Sequence, residues 1–454
     1  MGRDELTIEA ITAALAQHLD GSVSCTELER GPLGNGQETW FATTTSHRHP
    51  QIVLRLTAEA GPLTWTDRTL EAKVMTRVAT IDLPVPEVLW VSDGDDAIGR
   101  SHLAMQRLPG SPAATARGDE RGELLAQLGA ALAVLHARSP TDGTATEATR
   151  AELERWQDRA DDLGALVPPL VHGLLAWLHA ELPYDRTPAV QLWGDAGLHN
   201  VLAEHGSITG LLDWELSHPG HPLEDVAVAA WMEGAQLDER TTPLLEAYAL
   251  ARGEPVDEAQ VRRFLVLAAV TRSLMVIEGA RDVIEGRLAA PTLTGLALEL
   301  PVRSLTRAAE QVGFGSPRIL DPPARARAGG SCVPGPADTD AALGRFLDES
   351  VLPVVTDGRL RRELKAAIAL LETNALRIDG EAQIVTERRD ADRALLADLR
   401  SAGATRATSL ASLAVEVEQG EVPLEVRARV RQHLIDDLTE RARTLAPLRA
   451  RFGG

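Results

Sequence analysis

The chain is poor in cysteine, in lysine and in long apolar runs, and each scarcity narrows what it can be. Two cysteines, Cys25 and Cys332, are too few for a disulfide framework and lack metal-ligand spacing, so neither a stapled secreted scaffold nor a zinc site is indicated. The longest apolar stretch, Phe264 to Val270, falls far short of a bilayer span, and no basic segment leads into an apolar one at the start. The expectation is a cytoplasmic protein with no membrane partner. Lysine occurs only at Lys73 and Lys365, so the basic residues are nearly all arginine. Together with abundant alanine, this bias suggests a GC-rich bacterial genome. Cations are outnumbered as well, with 66 Asp and Glu against 46 Lys and Arg, a formal net charge of -20. Nucleic acids and anionic membranes are bound by neutralising phosphates with Lys and Arg, so neither is expected here. A small molecule is the expected partner.

What is present is an ordinary globular composition, 44% hydrophobic and 25% charged over 454 residues, enough to bury large cores in two domains. Residues 5–20 have a helical period. Runs at 39–45 and 51–57 read as a hairpin, a helix is predicted over 67–79, and 87–92 and 101–108 read as a second strand pair around Asp93-Gly94-Asp95-Asp96. The next stretch is helical, with Leu125, Leu128, Leu132 and Leu135 on one face. Short strands return between 190 and 213, and helices continue to about 312. Residues 316–338 are dense in Pro and Gly without periodicity and read as a linker. Beyond it, Asp338 is expected to cap a helix carrying Leu343, Phe346 and Leu347; Leu360, Leu364, Ile368 and Leu371 mark a second apolar stripe, and Val426, Val430, Leu434 and Leu438 a third. The expected organisation is a leading helix to residue 24, a domain over 25–315 with its first lobe ending near 107, the linker, and an all-helical domain over 339–454.

Chemistry concentrates in Trp193-Gly194-Asp195-Ala196-Gly197-Leu198-His199-Asn200. An Asp followed five positions later by Asn, with a strand after it, has the spacing of a kinase catalytic loop, where the Asp accepts a hydroxyl proton and the Asn ligates magnesium. Downstream, the apolar run 208–212 ends in Asp213-Trp214-Glu215. A hairpin across 204–207 would return Asp213 beside Asn200, offering two oxygen ligands to one cation. Each residue also fits a plainer role, Asp195 and Asn200 in a turn and Asp213 as a helix cap; the joint order favours the chemical reading. Nearer the start, Gly34, Asn35 and Gly36 lie in a glycine-rich turn that could fold its amides over nucleotide phosphates, or be only a hairpin turn. Arg55 stands in the third strand where kinases usually carry a phosphate-binding Lys, with Glu71 on the following helix as its ion-pair partner. An exposed strand Arg pairing with a helix Glu is the alternative. Met105 to Gly110 reads as a hinge between lobes.

These motifs, with Gly220-His221-Pro222-Leu223-Glu224-Asp225, resemble the aminoglycoside phosphotransferase and choline kinase superfamily over about residues 25–312, in particular the branch similar to the kinase domain of the acyl-CoA dehydrogenase 10 and 11 proteins. The resemblance implies a bilobal, protein-kinase-like α+β fold followed here by an all-α domain, and the use of ATP, or alternatively GTP, with Mg2+. It implies Asp195 as catalytic base, Asn200 and Asp213 as magnesium ligands, Glu215 as a further ligand candidate and Asp225 as a support of the loop. Trp193 replaces the superfamily's commoner His, at a position that holds the loop by packing. A hydroxyacyl or hydroxyacyl-CoA acceptor is implied first, an aminoglycoside or amino alcohol as the alternative. A nucleotide-binding scaffold without activity is the non-enzyme alternative. The tail resembles a helical domain of unknown function that accompanies such enzymes, which implies a protein partner or self-association.

Overall fold

A computed structural model of the chain describes residues 6–19, 22–31, 37–181, 186–288, 290–315, 336–441 and 445. Gly34, Asn35 and Gly36, most of the expected linker, and Cys332 lie outside the described residues. The chain divides into two compact units, Met1–Thr149 with Pro183–Leu265, and Arg150–Leu182 with Val266–Gly454.

The first unit opens on α1 (Ile8–His18), whose first turn is capped by the Thr7 hydroxyl accepting from the Ala10 amide at 3.2 Å. Ile11, Ala14 and Leu15 are buried on one stripe of it, as a helical period demands. Five antiparallel strands follow: β1 (Cys25–Arg30), β2 (Gln37–Thr44), β3 (Gln51–Thr57), β4 (Val88–Asp93) and β5 (Ser101–Gln106), in the order β1-β2-β3-β5-β4. Both hairpins expected from sequence form here. Ile52, Leu54 and Leu56 of β3 join Trp40, Trp90 and the α1 stripe in one apolar cluster. Because side chains alternate along a strand, Arg55 is turned to the opposite face from Leu54 and Leu56. On the path from β3 to β4 lies α2 (Arg68–Val78), whose N-cap Asp67 accepts from the Thr69 and Leu70 amides.

Past the hinge come β6 (Ser111–Pro112), a 3-10 turn at Ala113–Thr115, and α3 (Gly118–Arg138), which buries Leu125, Leu128, Leu132 and Leu135 as its periodicity predicts. β7 (Pro140–Thr144), α4 (Ala145–Leu163) and α5 (Pro169–Glu181) precede β8 (Pro188–Gln191), β9 (Val201–Glu204), β10 (Ser207–Leu211) and β11 (Pro219–Gly220). These short strands make two small sheets, β10-β9-β6 and β11-β8-β7. α6 (Leu223–Met232), α7 (Thr242–Arg252) and α8 (Glu258–Ile284) follow. α3 packs on α7 so closely that a Cβ at Gly129 would stand 2.3 Å from the Leu244 carbonyl oxygen.

The second unit is entirely helical among its described residues: parts of α4 and α8, all of α5, then α9 (Pro291–Gln311), α10 (Pro336–Phe346), the 44-residue α11 (Gly358–Ser401), α12 (Leu410–Glu418) and α13 (Leu424–Arg441). No described helix is long and apolar enough to cross a membrane. The helical tail forms as expected, with two local corrections. α10 begins at Pro336, so Asp338 lies inside the helix rather than at its cap; proline suits a first helical turn, where its missing N–H is no loss. Leu343, Phe346 and Leu360, expected to face a core, are 45%, 57% and 55% exposed. The contact between α10 and α11 runs instead through small residues, Ala337, Ala341 and Ala375, which let the two helices approach and leave the bulkier side chains outside. The whole is the bilobal kinase-like fold, a sheet-rich first lobe and a largely helical second, with the all-helical tail.

Candidate active site

The loop after β8 is fastened from below by Asp225, in the first turn of α6 and fully buried. Its Oδ2 accepts from the Trp193 amide and its Oδ1 from the Gly194 amide, both at 2.8 Å. Oδ2 also lies 3.1 Å from Nε2 of His136, a buried residue in the last turn of α3 whose Nδ1 is 3.0 Å from the Tyr248 hydroxyl. Gly194 takes φ +85°, and a Cβ there would stand 2.0 Å from the Leu216 carbonyl oxygen, so only glycine fits. From above, the Trp193 indole N–H donates to the carbonyls of Leu212 at 2.9 Å and Asp213 at 3.0 Å, and the ring stacks on Trp214 at 5.3 Å. Trp193 therefore holds the loop by hydrogen bonds as well as by the packing expected of it.

The expected β9–β10 hairpin forms, with Glu204 opposite Ser207 and Val201 opposite Leu211 around a register shift between Ile208 and Gly210. The Leu212 amide then donates to the Asn200 carbonyl at 2.8 Å, which returns the chain alongside Asn200 one residue before Asp213. Asn200 is buried, and its Nδ2 donates to Oδ2 of Asp195 at 2.8 Å and to the Asp195 carbonyl at 3.1 Å. Since the amide nitrogen is committed to Asp195, the Asn200 side-chain oxygen is the atom left for another partner. His199, which no motif marks, places Nε2 3.0 Å from the same Asp195 oxygen. Asp213 adopts φ +64°, a left-handed conformation uncommon for residues other than glycine, though aspartate is among those that take it most readily. Its Oδ1 is buried without a hydrogen bond, although the Arg55 guanidinium lies 2.9 Å away. An amide oxygen and a carboxylate oxygen are the hard donors a magnesium ion takes, so these residues fit that ion.

Above them sits a buried cage of charge. Arg55 Nη1 donates to Glu71 at 3.0 Å, the pair expected from sequence, while Nη2 lies 2.9 Å from Asp213 and 3.4 Å from Glu215. A second guanidinium, that of Arg68, is one the motifs do not mark. It is 2% exposed, contacts the other Glu71 oxygen, and donates to Glu215 at 3.0 Å. The i,i+3 spacing of Arg68 and Glu71 is the one sequence signal that points to it. Thr66 adds a hydroxyl donor to Glu215 at 3.2 Å. Although burial works against its charge, the carboxylates of Asp213, Glu71 and Glu215 raise Arg55 above the ordinary guanidinium range. Burial, joined by the Asp213 carboxylate, pushes Glu215 up to about 7 against the pull of the two guanidiniums. The structure thus brings Asp195, Asn200, Asp213, Arg55, Glu71 and Glu215 into one connected site, with Asp225 beneath it.

Comparison with known proteins bears on the family and the fold. The acyl-CoA dehydrogenase family member 11 of Gallus gallus is 28% identical over 171 residues, 35% of this chain and 22% of that protein. Family member 10 of Mus musculus is 27% identical over 237 residues, 47% of this chain and 21% of that protein. The chain thus spans only about a fifth of the length of these curated relatives. A crystal structure from Ralstonia eutropha JMP134, named for the aminoglycoside phosphotransferases, shares the fold at a TM-score of 0.53 and 19% identity, covering 68% of this chain and 99% of its own. The sequence profile of the phosphotransferase enzyme family matches residues 27–264, more than half of the chain, and the protein belongs to that family.

Proposed function

We propose that the chain moves the terminal phosphoryl group of a nucleoside triphosphate, ATP in the first instance, to the hydroxyl of a small molecule, with Asp195 as the base. The observation that carries this reading is that Asn200 holds Asp195 just before the β9–β10 hairpin, and the hairpin returns the chain to Asp213, which meets Arg55 of the Arg55–Glu71 pair. Asp195 receives the acceptor's hydroxyl proton while the acceptor oxygen forms its bond to the terminal phosphorus. The bond from that phosphorus to the bridging oxygen breaks, and the nucleoside diphosphate leaves. Asn200 orients the Asp195 carboxylate through the 2.8 Å bond. Arg55 presents a fork of N–H donors to phosphate oxygens, a geometry lysine lacks. Magnesium, held by Asn200 and Asp213, would supply positive charge against the transferring phosphoryl group.

Among acceptors, an amine-bearing alcohol of the aminoglycoside or amino-alcohol kind is favoured over a hydroxyacyl-CoA. The turn Ala113–Thr115 packs against Leu198–Asn200 and borders a cavity of about 410 Å³, whose ionisable lining groups among the described residues are Glu120, Glu204 and His205, with no Lys or Arg. Glu120 and Glu204 draw a cation to that wall, while the guanidiniums of Arg117 and Arg121 behind it are turned to the Ala114 and Ala116 carbonyls. The test is turnover of ATP with magnesium across aminoglycosides, amino alcohols and hydroxyacyl-CoA thioesters, for the wild type and Asp195→Ala. Stimulation by an amine-bearing acceptor that the variant abolishes is the expected result. Nucleotide binding with no acceptor phosphorylated would replace this reading with that of a scaffold.

A further inference from the structure

Four buried side chains form a closed ring of alternating charge. Arg55 reaches Glu71 at 3.0 Å, Glu71 meets Arg68, Arg68 reaches Glu215 at 3.0 Å, and Glu215 returns to Arg55 at 3.4 Å. Two guanidiniums and two carboxylates cancel formally, which is what a buried set of charges requires. Asp213 is attached to this ring only by its 2.9 Å contact with Arg55 Nη2 among the described residues, and it differs in exposure. Its side chain is 31% exposed, against 9% for Arg55 and 1–6% for the other ring members. Both ring carboxylates already have Arg68. Arg55 can therefore turn Nη2 away without leaving Glu71 or Glu215 as an unpaired buried charge. The group such a movement strands is Asp213, whose Oδ1 has the 2.9 Å ion pair with Arg55 as its contact.

Building on the reading of Asp213 as a cation ligand, we propose that Arg55 and a divalent cation occupy the Asp213 carboxylate in turn, and that Arg68 is the positioning residue that frees Arg55 to leave. Without a cation, Arg55 holds Asp213. When a cation takes the carboxylate, the Nη2 fork is released toward a nucleotide phosphate, so the number of paired charges is conserved. It follows that cation alone binds against the competition of Arg55, while cation and nucleotide bind cooperatively, each removing the other's competitor.

Binding of Mn2+ to the full chain, read from the electron paramagnetic resonance signal of the free ion, tests this without turnover. In the absence of nucleotide, Arg55→Gln is expected to bind Mn2+ roughly tenfold tighter than the wild type, the size of one close charge pair removed from the competing side. A site merely damaged by the substitution would bind more weakly, so the sign decides. Addition of a non-hydrolysable ATP analogue should tighten Mn2+ by a larger factor in the wild type than in the variant, because its phosphates ligate the ion in both but draw Arg55 off Asp213 only in the wild type. Should Arg55→Gln not give folded protein by circular dichroism, Arg55→Lys takes its place, because one ammonium group cannot span both Glu71 and Asp213, and the same direction is expected. A folded Arg55 variant that binds Mn2+ no tighter than the wild type, while Asp213→Asn loses the ion, sinks the exchange and leaves the site reading intact. Undiminished Mn2+ binding by Asp213→Asn removes the ligand role of Asp213, and the exchange with it.

Discussion

Replacing Asp225 by Asn should unfasten the loop that carries Asp195 at a cost that can be worked from the contacts. The carboxylate is 0% exposed and serves three donors: the Trp193 and Gly194 amides at 2.8 Å each and His136 Nε2 at 3.1 Å. Asparagine has nearly the same shape but only one acceptor oxygen. Whichever way its amide is turned, an NH2 group faces a backbone N–H that it cannot satisfy. A buried donor left unsatisfied costs about 1–3 kcal/mol, and removal of one partner from a buried charged set about 3–5 kcal/mol, so a loss of about 4 kcal/mol is expected. The assay is urea denaturation followed by tryptophan fluorescence, since Trp193 and Trp214 stack beside the loop. A loss of that size moves the midpoint by more than about 1 M at the usual slopes, with the slope itself unchanged. Turnover should fall with it, because Asp195 follows the two anchored amides directly. A variant within about 0.5 kcal/mol of the wild type, with turnover intact, would refute the account, since exposed substitutions alone stay that close.

Three further outcomes are expected. Gly194→Ala, which must put a Cβ 2.0 Å from the Leu216 carbonyl oxygen at φ +85°, should lose several kcal/mol and most turnover; a crystal structure of the variant with an unmoved loop would be the contrary result. Trp193→Phe keeps the ring against Trp214 but removes the indole donor to Leu212 and Asp213, and should cost about 1–2 kcal/mol in thermal or urea melts. Glu215 carries the pH dependence: its folded value of about 7 lies above the ordinary 4.5, so its stabilising contribution is complete below about 4.5 and is lost as pH rises to about 7. The stability of the wild type relative to Glu215→Gln should therefore fall between about pH 5 and pH 7, and urea midpoints showing a rise over that window would reverse the sign.

What the amino-acid order reveals is local. Asp195 and Asn200 declare themselves by spacing, the 201–211 hairpin by its strand and turn residues, and the five-stranded sheet by its alternation. Arg55 and Glu71 are legible because a strand followed by a helix fixes their relation over 16 residues. What stays hidden is held by closure over long stretches of chain. Arg68 meets Glu215 across 147 positions, and His136 meets Asp225 across 89. No propensity or period encodes such a meeting, and an arginine at a helix start reads as an ordinary surface residue until the fold buries it. The alanine seam between α10 and α11 is hidden for a related reason, since small residues carry little weight in an apolar pattern although they decide how closely helices approach. The consequence bears on chemistry. An arginine where kinases carry lysine looks in sequence like a defect in phosphate binding. In the folded chain it is one member of a ring whose second arginine neutralises the same carboxylates, so the departure at Arg55 and the presence of Arg68 have to be judged together. A lysine at 55, with its single ammonium, could not reach Glu71, Glu215 and Asp213 at once as the fork does at 3.0, 3.4 and 2.9 Å.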